Sequence, residues 1–343
     1  MRVVLRLVAY LVVLLVAAIG VAFLLPSRMH AERSVTIDRP ASQLYLLLSN
    51  LHRFNEWSPW HARDPQATYT YSGPEQGVGA KLAWSSTHAD VGSGSQTITA
   101  LTPGQSIDIE LDFAEHGKST ARYALAPQSV GTKVTWSLDG NLPLDFDSRF
   151  FANVAGRYMG LFMDRLVGPD FEAGLRSLKT LAETFPNVDI SGLEPALVEL
   201  APRKIVYVSG TVSLEDPSAA PAALKSAFTQ VWRYASERQL AIEGQSLTLT
   251  RAHDGATWTF DAGVGAAWDV MPQDASILGA QTPAGRAVRV VHEGAWKDLA
   301  RTVQRAYGWI AVKGYRTRDR VLQEYTGDVT APEVKVTVSI PIQ

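Results

Sequence analysis

Residues Leu7 to Leu25 form a charge-free apolar run of nineteen positions. At the rise of an α-helix the run is roughly 28 Å long, close to the hydrocarbon thickness of a bilayer, about 30 Å. The pattern predicts one membrane-spanning helix, which with its flank occupies residues 1–31. The alternative is a cleaved signal peptide. That alternative requires a shorter apolar region and small residues before the cut, and the exit through Leu24-Leu25-Pro26 lacks them.

The basic residues on the two sides of this run are nearly balanced. Arg2 and Arg6 precede it, whereas Arg28 and Arg33 follow it. Lys and Arg close to a span favour the cytoplasmic side. Because the first pair lies tight against the span, we expect a cytoplasmic amino terminus and a folded part outside the membrane.

The hydrophobic pattern changes character after the apolar run. Four leucines at helical spacing predict a short helix, namely Leu44, Leu47, Leu48 and Leu51. Beyond Trp60, short segments alternate between apolar and polar positions. Ile107 and Ile109, separated by Asp108, are the clearest example. This period of two indicates half-buried antiparallel strands.

A second helical pattern closes this first domain, which we place at residues 32–184. Its apolar positions begin with Phe150, Phe151, Val154, Tyr158, Leu161 and Phe162. Gly168-Pro169 interrupts the pattern, and Pro169 is well placed to begin a further helical section. We expect this long helix to cover the concave side of the antiparallel sheet. Such an arrangement would enclose an apolar cavity.

Residues 185–199 mix helix-stopping and turn-forming residues, so they predict a linker. From residue 200 to 343 an internal repeat follows. Each half predicts a strand, a helix and two further strands, and the last strand alternates most cleanly, in Val334, Val336, Val338, Ile340 and Ile342. The whole chain is therefore expected to be α+β, with a transmembrane helix, a helix-grip domain and a domain of two strand-helix-strand-strand repeats.

Composition narrows the possible functions. The formal net charge is −2 with acidic and basic residues interspersed, so a nucleic-acid partner is not expected. The chain has no cysteine, which excludes disulfides and thiolate metal sites. Its seven histidines are scattered without metal-ligand spacing. We predict no metal site and no cofactor, and catalytic residues stay unknown. Asp261 and Glu293 are expected to be solvated at the surface.

The first domain resembles the SRPBCC superfamily, which comprises the START and polyketide-cyclase-like helix-grip proteins. The resemblance lies in Leu51-His52-Arg53-Phe54-Asn55-Glu56-Trp57-Ser58-Pro59-Trp60, Tyr71-Ser72-Gly73-Pro74, Gly131-Thr132-Lys133-Val134-Thr135-Trp136 and Gly168-Pro169-Asp170-Phe171-Glu172. It implies a pocket for hydrophobic ligands and no single chemistry. The expected cavity walls are Trp57, Trp60, Trp84, Phe113 and Trp136. For each of these aromatics the alternative is an ordinary core position.

The second domain resembles the GyrI-like, or AraC-type effector-binding, family. The resemblance lies in Trp258-Thr259-Phe260-Asp261-Ala262-Gly263-Val264, Val291-His292-Glu293-Gly294-Ala295-Trp296 and Lys313-Gly314-Tyr315. It implies a ligand groove, for which the candidates here are Trp258, Phe260, Trp296, Gln323 and Tyr325. Where the family usually carries a glutamate, this chain has Gln323. The neighbouring Glu324 is expected to face away, which favours a neutral or weakly polar ligand.

Together these features predict a membrane-anchored binding protein for hydrophobic or amphipathic small molecules, including lipids. Family resemblance places it in a bacterial inner membrane as a single-pass protein with periplasmic domains. A first alternative is a cyclase or hydrolase acting on a small hydrophobic substrate in one of the pockets. The sequence favours binding over catalysis, because no catalytic constellation is recognisable. A second alternative is a regulator that acts through a protein partner.

Overall fold

A computed structural model describes residues 1–113, 117–144, 146, 150–269, 271–272 and 276–343. The chain divides into two compact units, Met1–Asn187 and Val188–Gln343. The α+β class expected from the sequence is confirmed, with one antiparallel sheet in each unit and an apolar helix at the amino terminus.

The amino-terminal helix α1 (Arg2–Ala22) has 21 residues and a mean hydropathy of 2.7. Its length and composition suffice to cross a membrane, and its apolar side chains are exposed over nearly the whole length. The first strand begins at Arg28, so residues 23–27 are all that separates helix from sheet. Five residues span at most about 18 Å when extended. The sheet of the first unit therefore stays close to the end of α1.

Seven strands of the first unit form one sheet in the order β1-β7-β6-β5-β4-β3-β2, with antiparallel neighbours. The strands are β1 (Arg28–Ile37), β2 (Thr68–Ser72), β3 (Lys81–Ser85), β4 (Ser93–Thr102), β5 (Ser106–Asp112), β6 (Lys118–Pro127) and β7 (Thr132–Asn141). Their alternation sets the inner face. In β7, Val134, Trp136 and Leu138 are buried, whereas Lys133 is exposed.

Short helices connect β1 to β2 and build one end of the interior. They are α2 (Ala41–Leu48), a 3₁₀ helix (Leu51–Glu56) and α3 (Pro59–Arg63). The Asn50 side chain caps the 3₁₀ helix by accepting from the backbone of His52, and Ser58 caps α3 in the same way. Pro59 takes the first position of α3, where its missing N–H costs nothing. These caps fix the positions of Phe54, Trp57 and Trp60.

The closing helical segment of the first unit is interrupted at a different position from the one expected. It consists of α4 (Phe150–Gly160) and α5 (Met163–Ala182), so the break lies at Leu161-Phe162 and Pro169 lies inside α5. A Cβ on Gly160 would come within 2.3 Å of Leu142, so glycine allows the close approach there. Within this segment α5 provides most of the cover on the sheet, through Phe171, Leu175 and Leu178, whereas α4 makes a small contact with β1. The first apolar positions divide between two environments: Val154 is buried and Phe150 and Tyr158 are half-buried, whereas Phe151, Leu161 and Phe162 are exposed.

The second unit contains an eight-stranded sheet with the order β12-β9-β11-β10-β14-β15-β13-β8. The strands are β8 (Ala196–Leu200), β9 (Lys204–Ser213), β10 (Ile242–His253), β11 (Thr257–Ala266), β12 (Leu278–Gln281), β13 (Gly285–Ala295), β14 (Leu322–Thr326) and β15 (Glu333–Pro341). The helices are α6 (Ala219–Glu237) and α7 (Trp296–Lys313). The predicted repeat is confirmed as β9-α6-β10-β11 followed by β13-α7-β14-β15.

The two repeats meet at the middle of this sheet. Strands β10 and β14 pair antiparallel from Ser246–Tyr325 to Leu249–Leu322. Helix α6 packs on β9 and β11, whereas α7 packs on β13 and β15. One hydrophobic cluster fills the helix side of the sheet and draws on both repeats, including Leu224 and Phe228 of α6 and Leu299 and Ile310 of α7.

Candidate functional site

The first unit encloses a cavity of about 260 Å³ between the sheet and α5. The contributing elements are strands β2 to β7, the connection from the 3₁₀ helix to α3, the turn between β3 and β4, and α5. The lining residues are Phe54, Ser58, Trp60, Tyr69, Leu82, Trp84, Asp90, Val91, Gln96, Leu111, Phe113, Ala121, Tyr123, Trp136, Leu138, Val167, Asp170 and Phe171. The lining is mostly aromatic and aliphatic, which is typical of sites for hydrophobic small molecules.

Trp136 is the central aromatic residue of this lining. Its ring stacks on Phe171 of α5, with centroids 4.1 Å apart and an interplanar angle of 6°. Trp60 packs edge-on against it at 5.7 Å, and Tyr123 lies at 5.3 Å. Gly174 makes this contact with α5 possible, because a Cβ there would lie 2.9 Å from the Trp136 ring. One side chain thereby connects the sheet, α3 and α5.

The remaining candidate aromatics of this unit have two different positions. Trp84 and Phe113 line the cavity and pack edge-on against each other at 6.1 Å. The indole N–H of Trp84 donates to the Val91 carbonyl at 3.3 Å, which holds the turn between β3 and β4 against the cavity. Trp57 is buried outside the cavity lining, and its ring packs edge-on against Trp136 at 5.6 Å. Four of the five candidates therefore surround one space, and Trp57 supports that wall.

Two buried donors in the lining have no hydrogen-bond partner among the described residues. They are the amide Nε2 of Gln96 and the indole Nε1 of Trp136. A buried polar group without a partner costs about 1–3 kcal/mol of stability. An oxygen acceptor on a bound molecule would satisfy such a group. Both nitrogens belong to residues that line the cavity, and each is itself almost fully covered by protein atoms.

The ionisable side chains in the described lining are Tyr69, Asp90, Tyr123 and Asp170. Burial raises the pKa of Tyr123, so this phenol stays neutral. Asp170 is paired with Arg63 at 2.5 Å, and this hydrogen bond raises the pKa of Arg63. Arg63 also donates to the Asp90 carbonyl at 3.4 Å, which connects α5 to the turn before β4. These charges stabilise the rim of the cavity by pairing with each other.

Sequence reasoning missed several lining residues, among them Gln96, Tyr123 and Phe171. A signal for each was present in the strand or helix periodicity. Gln96 precedes the buried Ile98 by two positions in β4. Tyr123 lies on the same face of β6 as the buried Ala121 and Leu125. Period-two alternation places such residues on the inner face but does not say which of them border an empty space.

In the second unit, the candidate residues meet where the two repeats join. Tyr325 of β14 contacts Phe228 of α6 at 5.8 Å and Trp296 of α7 at 6.0 Å. Its hydroxyl donates to Gln323 Oε1 at 2.7 Å and lies 3.1 Å from Thr248 Oγ1 of β10. Burial raises the pKa of Tyr325, so this hydroxyl is also neutral. The Tyr325 hydroxyl and Gln323 Oε1 are thus paired within the protein.

Trp258 and Phe260 pack beside this group on β11. Their ring centroids are 4.5 Å apart, and both residues are buried. The Trp258 indole donates to Thr250 at 3.1 Å, and the Trp296 indole donates to the Val329 carbonyl. All four aromatics belong to or pack against the main hydrophobic cluster of the unit.

The opposite face of the same sheet carries the charged residues of this region. Glu324 accepts a hydrogen bond from Arg203 at 2.7 Å, on the face opposite Gln323 and Tyr325. Asp261 does not follow the expectation of surface solvation, because its side chain is 0% exposed. Its carboxylate accepts hydrogen bonds from Arg251 and Arg320, each at 2.7 Å, and from Ser209 at 2.8 Å. Two partly exposed guanidinium groups cover this carboxylate, so it is shielded from water and structural.

His292 and Glu293 each interact with neighbouring groups of the protein. His292 is buried in β13, with one ring nitrogen 2.9 Å from the Thr302 hydroxyl and the other 3.2 Å from the Ala295 carbonyl. Glu293 is exposed and pairs with Lys335. In the part of the chain that the structure describes, no group of three or more His, Cys, Asp or Glu side chains is placed to hold a metal ion.

Comparison with solved structures finds several similar folds, three of which each cover a little under half of this chain. The crystal structure of the EcmrR C-terminal domain is 18% identical, covers 44% of this chain and 98% of its own, and has a TM-score of 0.39. A hydrolase from Listeria innocua is 11% identical over 44% of this chain and 92% of its own, with a TM-score of 0.33. Protein SA2116 of unknown function from Staphylococcus aureus is 8% identical over 46% and 96%, with a TM-score of 0.34. No curated protein matched the chain.

Family models match both units in the order expected from the sequence. Residues 28–183 match the family described as polyketide cyclase / dehydrase and lipid transport. Residues 193–343 match the GyrI-like small molecule binding domain. Both are families of small-molecule-binding domains. The chain thus carries a match to the polyketide cyclase and lipid transport family followed by a match to the GyrI-like small-molecule-binding domain.

Proposed function

We propose that this protein is a membrane-anchored binding protein that holds a hydrophobic or amphipathic small molecule in the cavity of the first unit. The observation that carries the proposal is that cavity, with its aromatic walls and two unpartnered donors. A core built only for stability is packed without such voids, because empty space and unbonded polar groups both cost free energy.

The volume limits the size of the ligand. A cavity of about 150 Å³ accommodates benzene, which has six non-hydrogen atoms. By that proportion, 260 Å³ accommodates on the order of ten non-hydrogen atoms. The buried part of the ligand is therefore a small ring system or a segment of one acyl chain, and a complete two-chain lipid is too large.

The contacts define the chemistry that the ligand needs. Trp60, Trp84, Phe113 and Trp136 supply apolar surface, and Trp57 supports Trp136 from outside the lining. The indole of Trp136 and the amide of Gln96, which lie on different strands, are the donors proposed to meet oxygens of the ligand. The proposed ligand class is an apolar body of about ten non-hydrogen atoms that carries a hydroxyl or carbonyl group.

The second unit is proposed to bind its ligand where its two repeats join, against Gln323, Tyr325 and Trp296, with Trp258 and Phe260 forming the base of the site. Support comes from the family match and from the meeting of both helices and both repeats at Tyr325. An amide occupies the place of the family's acid, so a neutral or weakly polar ligand fits better than a cation.

We further propose that α1 is retained as a single-pass anchor in a bacterial inner membrane, with the folded units in the periplasm. Its length, its hydropathy and its exposed apolar surface support retention in a bilayer, although a signal sequence shares the first two properties. Fusion of alkaline phosphatase at the carboxyl terminus tests the orientation. Activity is expected there, whereas activity of a β-galactosidase fusion instead would overturn the periplasmic placement.

A filled-cavity variant tests the binding function. Ala121 of β6 lines the cavity, and Ala126 of the same strand is exposed. In the full chain reconstituted in lipid nanodiscs, Ala121→Phe is expected to abolish saturable binding of 1-naphthol, which has eleven non-hydrogen atoms, whereas Ala126→Phe leaves binding unchanged. Fluorescence titration measures both. Equal binding by the wild-type chain and by Ala121→Phe would refute the cavity as the binding site.

A further inference from the structure

Helix α4 carries an apolar face that no described part of the protein covers. It comprises Phe151, Ala155, Met159, Phe162 and Leu166, which recur every three or four residues along α4 and into the first turn of α5. The four larger side chains are between 48% and 66% exposed. Of the apolar positions predicted from the sequence, Phe151 and Phe162 belong to this exposed face, whereas Val154 is buried on another side of α4.

The opposite side of α4 attaches to the end of α1. The Tyr158 hydroxyl donates to the Ala18 carbonyl at 2.7 Å, and Arg157 donates to the Leu25 carbonyl at 2.6 Å. The Phe146 ring lies between those of Phe23 and Phe150, at 6.0 Å and 4.9 Å. Described aromatic rings therefore connect the end of α1 to the start of α4.

These attachments set the depth of α4 relative to the apolar run of α1. Ala18 lies seven residues before Leu25, the last residue of the run, which corresponds to about 10 Å along a helix axis. Amphipathic helices that lie in a membrane interface bury their apolar face roughly 5–10 Å into the boundary between headgroups and acyl chains. If α1 spans the bilayer, α4 lies at that depth.

From this connection and depth we infer that the α4 face inserts into the interface of the bilayer that α1 crosses, so the protein contacts the membrane twice. This inference rests on the proposed anchor. A helix satisfies its own backbone hydrogen bonds, so α4 can enter this region without exposing unpaired backbone groups. The flexible side chain of Arg165, exposed beside Leu166, reaches back to the headgroups.

The absence of cysteine from the chain makes a direct test available. Single variants Phe151→Cys and Met159→Cys are labelled with the fluorophore NBD in the full chain, reconstituted in nanodiscs of phosphatidylcholine and phosphatidylglycerol. Both labels are expected to shift to shorter emission wavelength and to lose fluorescence when the discs contain 5-doxyl phosphatidylcholine. Val130→Cys, exposed in the turn between β6 and β7, is the matched control and is expected to show neither change.

Labelled Leu11→Cys distinguishes this inference from the anchor itself. Its label is expected to be quenched by 12-doxyl phosphatidylcholine, because Leu11 lies in the middle of α1. If it is quenched while residues 151 and 159 behave like residue 130, the α4 inference is wrong and the anchor stands. If Leu11 is not quenched, the anchor is wrong and the inference falls with it. A blue shift at 151 and 159 without lipid quenching would show a second copy of the chain on this face and would also overturn the inference.

Discussion

The two units use the same kinds of residue in opposite ways. In the first, Trp60, Trp84 and Trp136 surround empty space, and two buried donors there lack partners. In the second, Trp258, Phe260 and Tyr325 belong to one packed hydrophobic cluster, and the Tyr325 hydroxyl donates a hydrogen bond to Gln323 Oε1. Buried aromatics therefore do not by themselves distinguish an open cavity from a filled one. The unsatisfied donor and the adjoining void are the more informative features.

The largest expected difference between the units comes from truncating one aromatic in each. Phe260→Ala is expected to lower the free energy of unfolding of the second unit by about 3–5 kcal/mol, because a buried, tightly packed ring leaves a cavity. Trp84 borders existing space and is half-buried. Trp84→Ala is therefore expected to lower the free energy of unfolding of the first unit by about 1–2 kcal/mol.

Hydrogen–deuterium exchange of the full chain, read from peptides of each unit, measures both losses. Trp84→Ala is expected to weaken 1-naphthol binding, whereas Phe260→Ala leaves it unchanged. Equal destabilisation by the two changes would mean that the cavity walls are as tightly packed as the core of the second unit.

Asp261 provides the next largest effect and tests the charged face of the second sheet. Asp261→Asn is expected to destabilise the second unit by about 2 kcal/mol, because two guanidinium groups lose their shared charged partner. The loss is smaller than for a fully buried pair, because Arg251 and Arg320 are 44% and 32% exposed and can be hydrated. Exchange in peptides of β11 measures the loss. No change there would show that the arginines only cover the carboxylate.

Replacement of Gln96 and of Gln323 by leucine is expected to change stability in opposite directions. Gln96→Leu removes an unpartnered buried amide from the cavity wall, so a gain in stability of about 1 kcal/mol and weaker 1-naphthol binding are expected. Gln323→Leu removes the acceptor of the Tyr325 hydroxyl, so a loss of about 1–2 kcal/mol is expected. Exchange protection of the two units reports both changes. A loss in both variants would contradict the interpretation of Gln96 as a ligand-facing group.

The smallest expected effect is on the stability of the first unit at acidic pH. Lys179 and the Asp38 backbone N–H hydrogen-bond to Glu183 and lower the pKa of this carboxyl below its ordinary value of 4.5. A lowered pKa contributes stability above pH 4.5 that is lost as the pH falls through the folded-state pKa. Glu183→Gln is therefore expected to flatten the loss of stability of the first unit below about pH 4.5. Unfolding measured between pH 6 and pH 3 checks this, and an unchanged pH profile would contradict it.

Periodicity predicted most of the fold. The alternation around Ile107 and Ile109 correctly indicated antiparallel strands, and the repeated order of elements after residue 200 correctly indicated the duplicated unit. These patterns succeed because a residue's side of a strand or helix follows from backbone geometry alone.

The division of the closing helix and the environment of its faces were not predictable in the same way. Pro169 indicated a break, but the helix continues through it, and the break lies earlier, at Leu161-Phe162. The same helical spacing describes Phe171, which is buried on the sheet, and Phe151, which is exposed. Spacing identifies an apolar face but not whether protein, ligand or lipid covers it.

The pairing of β10 with β14 has a mechanical consequence for the second unit. Four residue pairs, from Ser246–Tyr325 to Leu249–Leu322, are the ladder through which one half of the sheet continues into the other. Each half brings its own helix, so a change in twist along this ladder would move α6 and α7 relative to each other. A ligand bound at this junction, as proposed above, would touch both halves of the sheet at once.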